Sequence, residues 1–198
     1  MTRTRIGVLI SGRGSNMSAL IAAAKAADCP FEIALVMSNK PDAPGLEIAR
    51  EAGVDTTAID QRDFPKDRDG HERALDAALR AAGVEVVALA GYMRVLTPFL
   101  VGAWEGRMIN IHPSLLPKHP GLDTHRRALD AADLEAGCTV HLVTEGVDEG
   151  PILGQARVPI LPGDDAHSLA ERVLAEEHRL YPAMLAKLCR ELSPSSAR

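Results

Sequence analysis

Short, fully apolar segments alternate with longer amphipathic segments along the chain, and this alternation limits the fold more than any other feature. Residues 33–37 and 86–90 are uninterrupted apolar runs, and 6–10 is interrupted only by a glycine. Strands that are apolar on both faces are typical of parallel sheets covered by helices on both sides. We therefore expect an α/β fold with a mostly parallel central sheet and helices on both faces.

The predicted elements follow the hydrophobic periodicity. Strands are predicted at 6–10, 33–37, 54–59, 86–90, 108–111, 138–143 and 152–158, and helices at 16–27, 44–52, 69–82 and 165–188. Gly53 and Gly83 each follow a predicted helix and suit the left-handed residue beyond its end. The last two strands follow each other closely, which predicts an antiparallel portion of the sheet near the C-terminus.

Composition argues against several classes of function. With 198 residues and 46% hydrophobic content, the chain can bury one sizeable core, so we expect a single domain over residues 1–198 with a mobile tail at 193–198. The net charge of −5 argues against a nucleic-acid-binding surface, and no apolar run approaches the roughly 20 residues of a membrane span. Cys29, Cys138 and Cys189 show no metal-binding spacing, so we expect no zinc site and a reduced, cytoplasmic setting.

The segment at 110–117 carries the clearest chemical signal. Asn110 and His112 lie two residues apart at the end of an apolar strand, and alternate residues of a strand point to the same face. A side-chain amide and an imidazole in one cleft suggest transfer chemistry at a carbonyl carbon. Asp148, in a loop rich in glycine and acidic residues, is a carboxylate that could orient the imidazole. Alternatively, His112 is a structural histidine; Glu145 and Glu149 are expected to face solvent.

The turn at 11–16 is a second candidate site. Gly12 and Gly14 would allow a ligand to approach the backbone, and the free N–H groups at the start of the following helix favour an anion such as phosphate. The alternative is a bare turn in which Ser15 or Asn16 caps the helix. The turn is neither a P-loop nor a dinucleotide fingerprint.

The residues after the buried strand at 86–90 form a third candidate. Met93 and Leu96 could be ordinary core residues and Arg94 a surface charge, but an apolar patch with an arginine also suits a flat aromatic ligand with an acidic tail. His141 is expected to be a core or sheet-surface residue. His119 and His125 flank the segment at 110–117 and could line the same cleft.

Taken together, these motifs resemble one family. The chain is similar to phosphoribosylglycinamide formyltransferases, the folate-dependent transformylases of purine synthesis, from about residue 5 to residue 186. The matching segments are 8–16, 89–96, 109–118, 120–122, 137–143 and 148–151, with Glu177-His178 and Tyr181-Pro182 near the end. The resemblance implies a Rossmann-like formyltransferase fold, 10-formyltetrahydrofolate as co-substrate and no metal.

The same resemblance implies roles for individual residues. Asn110, His112 and Asp148 would be catalytic. Gly14, Ser15 and Asn16 would bind the phosphate of glycinamide ribonucleotide, and Glu177 would contact the same substrate. The implied folate contacts are Arg68, Met93, Arg94, Val95, Leu96, Asn110, Thr144, Glu145, Gly146, Val147 and Asp148.

The implied reaction moves a formyl group from 10-formyltetrahydrofolate to the amine of glycinamide ribonucleotide, giving formylglycinamide ribonucleotide and tetrahydrofolate on the route to IMP. The expected partners are these small molecules, and we expect neither nucleic acid nor a membrane to bind. Whether the chain forms a homodimer is left open by the sequence. A methionyl-tRNA formyltransferase would be expected to carry an additional C-terminal domain, and a formyltetrahydrofolate deformylase an N-terminal regulatory domain. A non-catalytic binding module would not need His112 and Asp148, and a nucleotide-dependent oxidoreductase would need a GxGxxG fingerprint that this sequence lacks.

Overall fold

A computed structural model describes residues 2–193, with seven strands and six α-helices. The expected mobile tail therefore lies, apart from Ser193, outside the described residues. The strands are β1 (Thr4–Ile10), β2 (Phe31–Ser38), β3 (Thr56–Ala58), β4 (Val86–Leu89), β5 (Met108–His112), β6 (Glu135–Leu142) and β7 (Ile152–Pro159). The helices are α1 (Ser15–Ala24), α2 (Pro44–Glu51), α3 (Arg68–Ala81), α4 (Pro98–Ala103), α5 (Thr124–Asp130) and α6 (Ala166–Leu192).

The seven strands form one sheet in the order β3-β2-β1-β4-β5-β6-β7. The first five of these in spatial order pair in parallel, whereas β6 pairs antiparallel with both β5 and β7. The predicted antiparallel portion near the C-terminus is confirmed. Sheet order reverses beside β1, where the chain crosses from the β2 side to the β4 side, and in open α/β sheets such a reversal leaves a crevice for ligands.

Helices cover both faces of this sheet, as expected. On one face, Ile6, Val8 and Ile10 of β1 pack in a core cluster that includes residues of α1, α2, α5 and α6. On the other, Leu9 of the same strand belongs to a cluster with residues of α3 and α4, including the fully buried Trp104 that follows α4. Alternate residues of β1 thus enter two separate apolar layers, which explains why the strand is apolar throughout.

Local sequence signals account for several helix ends. Asp165 and Ser168 form a capping box at the start of α6, and the Asp67 side chain accepts a hydrogen bond from the Gly70 amide at the start of α3. Gly53 and Gly83, with φ of 78° and 64°, adopt the predicted left-handed conformation after α2 and α3.

The structure differs from the predicted elements in a few places. The short helices α4 and α5 were not predicted, because six or seven residues are too few to show helical periodicity. Helix α1 ends at Ala24 rather than at 27, and the strand predicted at 54–59 pairs only over Thr56–Ala58 at the edge of the sheet. Helix α6 continues to Leu192, past the internal Pro182.

One buried tyrosine ties α6 to the centre of the sheet. The Tyr181 hydroxyl donates to the carbonyl oxygen of Leu89 at 2.9 Å and lies 3.3 Å from that of Ile109. These carbonyls belong to the neighbouring strands β4 and β5, near the point where both end. The contact therefore holds one face of α6 against the edge of the sheet at which the candidate site lies.

Candidate active site

A cavity of about 760 Å³ opens where β1, β4 and β5 end. Its volume lies within the range of roughly 300–1,000 Å³ that is usual for small-molecule sites. Four groups of residues line it: Asn16 with Glu177, the segment 91–96, the end of β5 with 121–125, and 143–148 with His141. The cavity thus brings together all three candidate segments of the sequence.

Asn110 and His112 both line this cavity, as their spacing on a strand predicts. The Asn110 amide nitrogen lies 3.2 Å from Nε2 of His141, which is its register partner on β6. Nδ1 of His141 lies 2.9 Å from the Leu142 carbonyl oxygen and donates to it, so Nε2 can accept from the amide. One N–H of Asn110 is therefore used to orient the side chain, and the other is available to a ligand.

Both ring nitrogens of the buried His112 face oxygen atoms. Nε2 lies 3.0 Å from the carbonyl oxygen of His119, and Nδ1 lies 3.2 Å from Oδ2 of Asp148. Because a carbonyl can only accept, Nε2 carries a proton in this arrangement. Nδ1 is then the nitrogen that can exchange a proton with the carboxylate or with a bound molecule.

Asp148 reaches His112 because the loop that carries it folds back along the cavity. Strand β6 runs antiparallel, so its end pairs beside the start of β5, with Leu142 opposite Ile109. The loop after β6 must therefore fold back along the cavity, and it does so with Asp148 in the left-handed region at φ 57°. The Asp148 carboxylate accepts from the Gly121 amide at 2.9 Å.

The environment of Asp148 favours its ionised form. Burial by itself would raise the pKa of this carboxyl group, but the pKa is lowered because His141, the Gly121 amide and the charge of His112 together outweigh burial. Oδ1 lies 3.6 Å from Nε2 of His141, a longer contact than the one between Oδ2 and His112. The site therefore holds a carboxylate beside an imidazole, which is an arrangement for proton transfer.

The start of α1 is free of side-chain caps. Gly14 is the N-cap residue at φ 68°, and no side chain accepts from the first amides of the helix. The alternative in which Ser15 or Asn16 caps the helix is therefore wrong, and these amides are open to an anion. Gly14 and Ser15 directly precede Asn16, which lines the cavity, but do not line it themselves.

Asn16 and Glu177 form a buried polar pair. The Asn16 amide donates to the Glu177 carboxylate at 2.6 Å, while Oδ1 of Asn16 is buried without a hydrogen-bond partner. Burial raises the pKa of Glu177, although the Asn16 bond partly opposes this. An orphaned acceptor beside a carboxylate in the lining of a cavity suits a ligand that brings hydrogen-bond donors.

The third candidate segment forms an apolar wall. Met93, Val95 and Val147 expose more than half of their surface although they line the cavity, and Tyr92, which also lines it, is buried. Arg94 also lines the cavity, and its Nη1 is buried without a partner. Leu96, Thr144, Glu145 and Gly146 complete the wall. Arg68, by contrast, is exposed at the start of α3 and does not line the cavity.

The sequence reasoning missed His141, which it assigned to the core or the sheet surface. Its contacts to Asn110 and Asp148 depend on the β5–β6 register, and no local pattern reveals that register. The sequence left open whether His119 and His125 line the cleft. His125 does so, whereas His119 contributes its carbonyl oxygen. Within residues 2–193, no group of three or more His, Cys, Asp or Glu side chains is placed to hold a metal ion. No helix in the same span has the length and hydropathy of a membrane-spanning one.

Comparison with known proteins identifies the family. The family model described as formyl transferase matches residues 4–185. This chain belongs to the formyl transferase family. A phosphoribosylglycinamide formyltransferase of Escherichia coli (strain K12) is 46% identical over 180 residues, which are 91% of this chain and 84% of that protein. The resemblance inferred from the sequence is thereby confirmed.

Two further relatives of this formyl transferase extend the comparison. The crystal structure of phosphoribosylglycinamide formyltransferase from Brucella melitensis is 54% identical, with a TM-score of 0.91, and the match covers 95% of this chain and 96% of that one. The trifunctional purine biosynthetic protein adenosine-3 of Drosophila pseudoobscura pseudoobscura is 50% identical over 188 residues, or 94% of this chain. The chain spans only 14% of the length of that trifunctional relative. The expected Rossmann-like fold is confirmed by the solved structure.

Proposed function

We propose that this protein transfers the formyl group of 10-formyltetrahydrofolate to the amine of glycinamide ribonucleotide, in de novo purine synthesis. The observation that carries the proposal is the continuity of one cavity. Asn16 and Glu177 line one part of it, Met93 and Val95 another, and Asn110, His112 and Asp148 also line it. Two substrates bound in these two parts would meet beside the imidazole and the carboxylate.

The ribonucleotide occupies the part of the cavity next to α1. Its phosphate accepts from the uncapped amides that follow Gly14, at Ser15 and Asn16, where the helix dipole also favours negative charge. Its hydroxyl or amide donors pair with the orphaned Oδ1 of Asn16 and with the Glu177 carboxylate. This places the amine of the substrate toward the centre of the cavity.

The folate lies along the apolar wall. Its ring system packs between the segment Met93 to Leu96 and the loop Thr144 to Asp148, whose exposed apolar side chains suit a flat aromatic molecule. The buried, unpartnered Nη1 of Arg94 offers a donor to this molecule. Arg68, exposed at the start of α3, stays a proposed contact for the acidic tail.

The transfer requires stabilisation of negative charge on the formyl oxygen. The neutral amine attacks the formyl carbon, and the free N–H of Asn110 donates to the oxygen as it gains charge. His112 donates to the same oxygen through Nδ1 in the form that carries a proton on both ring nitrogens. The bond between the formyl carbon and the folate nitrogen then breaks. The proton lost by the attacking amine is taken up by the Asp148–His112 pair and returned to the departing folate nitrogen, so that no net proton is gained or lost.

The remaining expectations belong to the same proposal. We expect one formyltransferase domain that acts in the cytoplasm on these two small molecules, without nucleic acid or membrane. The cysteines, Cys29, Cys138 and Cys189, are free, as is usual in a reducing compartment. The protein acts as a monomer or a homodimer, which light scattering after size-exclusion chromatography distinguishes.

A two-substrate assay tests the proposal. Purified protein is mixed with 10-formyltetrahydrofolate, with and without glycinamide ribonucleotide, and the folate product is followed by absorbance. We expect product only when both substrates are present. Release of formate without the ribonucleotide would instead indicate a hydrolase, and no turnover under either condition would overturn the proposal.

A further inference from the structure

A short backbone segment holds both members of the imidazole–carboxylate pair. The carbonyl oxygen of His119 lies 3.0 Å from Nε2 of His112, and the amide of Gly121 donates to Oδ2 of Asp148 at 2.9 Å. These two backbone groups are two residues apart. The position of the segment 119–121 therefore determines both the orientation of the imidazole and the place of the carboxylate.

His119 adopts an uncommon backbone conformation to make this contact. Its φ is 53°, in the left-handed region, where a residue other than glycine persists only when surrounding contacts hold it. Its imidazole supplies such a contact, because Nε2 lies 2.7 Å from Oδ2 of Asp133. Arg127 of α5 adds another by donating to the Pro120 carbonyl oxygen.

Asp133 is a well-anchored partner for this purpose. Its backbone amide donates to the Ala128 carbonyl oxygen at 3.1 Å, which fixes it to the end of α5. Its second carboxylate oxygen lies 2.6 Å from Nζ of Lys118, the residue before His119. Hydrogen bonds from His119 and then Lys118 hold the pKa of Asp133 below its ordinary value, so the carboxylate stays ionised. Both charged contacts therefore fix the position of the chain where it enters the segment 119–121.

We propose that Asp133 is a positioning residue for formyl transfer, acting through His119. It holds the His119 imidazole, and thereby the His119 carbonyl that keeps the proton of His112 on Nε2 and directs Nδ1 toward Asp148 and the substrate. Asp133 does not line the main cavity, so it touches neither of the two proposed substrates. Loss of its carboxylate should therefore slow the chemical step while leaving substrate binding nearly unchanged. The kinetic part of this inference rests on the proposed function, whereas its spectroscopic part does not.

The experiment compares Asp133→Ala, Asp133→Asn and Asp130→Asn with the wild type. Asp130→Asn is the matched control, since it removes an exposed acid at the end of α5, three positions away. Asp133→Asn keeps an oxygen that can accept from His119 and serves as the conservative variant. Each protein is measured for kcat, for KM of both substrates and for thermal melting. Histidine-labelled samples without substrate report the tautomer of His112 by nitrogen NMR, with His112→Gln used for assignment.

We expect Asp133→Ala to lower kcat about tenfold or more, because a misplacement of about 1 Å can cost ~10²-fold in rate. KM should change less than about twofold, since no binding contact is removed. His112 should lose the uniform Nε2–H form, and Asp133→Asn should restore most of kcat and of the NMR signal. The control should match the wild type.

Several outcomes would overturn the inference that Asp133 positions His119. If kcat and the His112 spectrum of Asp133→Ala match those of Asp130→Asn, the inference is overturned. It is also overturned if kcat falls only in proportion to the folded fraction, or if Asp133→Asn rescues melting but not kcat. If Asp133→Ala does not fold, His119→Ala takes its place, because it removes the imidazole through which Asp133 acts. A kcat and a His112 spectrum equal to those of the control would then overturn the inference. A wild type without formyl transfer would refute the proposed function, while the NMR comparison would still test the positioning.

Discussion

The side-chain amide of Asn16 donates to the carboxylate of Glu177 over 2.6 Å, although the two residues are 161 positions apart. This bond joins the start of α1 to the middle of α6 across the proposed ribonucleotide end of the cavity. It leaves Oδ1 of Asn16 without a partner, and burial raises the pKa of the Glu177 carboxyl. Both side chains can therefore accept hydrogen bonds from a bound ligand, Asn16 through Oδ1 and Glu177 through its carboxylate.

Replacement of Glu177 should weaken ribonucleotide binding in a pH-dependent way. Glu177→Gln should raise KM for the ribonucleotide about tenfold, the usual effect of losing a hydrogen bond to a charged group. Because its pKa is raised, the wild-type carboxylate gains a proton at a higher pH than an ordinary glutamate as the solution is acidified. KM of the wild type should thus rise more steeply as pH falls toward 5 than KM of the variant, in which only the phosphate and amine of the substrate titrate. Steady-state kinetics with saturating folate measures both, and a parallel rise in the variant would assign the effect to another group.

Asn110 should matter for turnover more than for binding. Asn110→Ala removes the N–H that we assign to the formyl oxygen, and loss of one such donor typically lowers kcat by ~10²–10³-fold. The His141 imidazole also loses its partner at 3.2 Å, so melting should be recorded alongside the kinetics. A variant with near-normal kcat would remove Asn110 from the proposed mechanism.

Two glycines of the same turn make a matched pair of variants. Gly14 has φ 68°, and a Cβ there would meet the Met17 side chain at 3.1 Å, whereas a Cβ on Gly12 has nothing within 4 Å. Gly14→Ala should lower the free energy of unfolding by about 1–2 kcal/mol, the typical penalty of a left-handed alanine. It should also raise KM for the ribonucleotide by displacing the first amides of α1. Gly12→Ala should do neither, and equal effects in both variants would argue against a phosphate site at the helix start.

Acid should destabilise the fold through His71. This side chain is fully buried, Nε2 contacts the Ile59 carbonyl oxygen at 3.0 Å, Nδ1 has no partner, and burial lowers its pKa. At His71 the unfolded chain therefore binds a proton more readily than the folded protein does. The contribution of the neutral His71 to the free energy of unfolding is complete above the ordinary histidine pKa of about 6.5, and it is lost as pH falls below that value. Denaturant titrations between pH 8 and pH 5 should show this slope. His71→Gln should reduce it, and an unchanged slope would assign the effect to the two other histidines with lowered pKa, His125 and His178.

Local signals in the sequence were sufficient for the architecture. Continuous apolar strands predicted a buried, mostly parallel sheet, and the two core clusters on either side of β1 explain why no polar alternation was present. Gly53 and Gly83 ended helices as predicted, because a left-handed residue after a helix is a property of a few neighbouring residues. The spacing of Asn110 and His112 correctly predicted that both line one cavity, because the side to which a residue points is a local property of its strand.

The contacts that define the site depended on tertiary structure. Register between β5 and β6 brought His141 to Asn110, a folded-back loop brought Asp148 to His112, and the turn after α5 brought Asp133 to His119. Each of these pairs joins chain segments that are set by packing of the whole sheet, so no local pattern could reveal them. The sequence by itself determined that Asn110, His112 and Asp148 could do chemistry and that a strand end and a loop carry them, but not that His141 contacts two of them. Only the tertiary structure decided which of them meet, because strand register and loop path follow from the burial of the entire core.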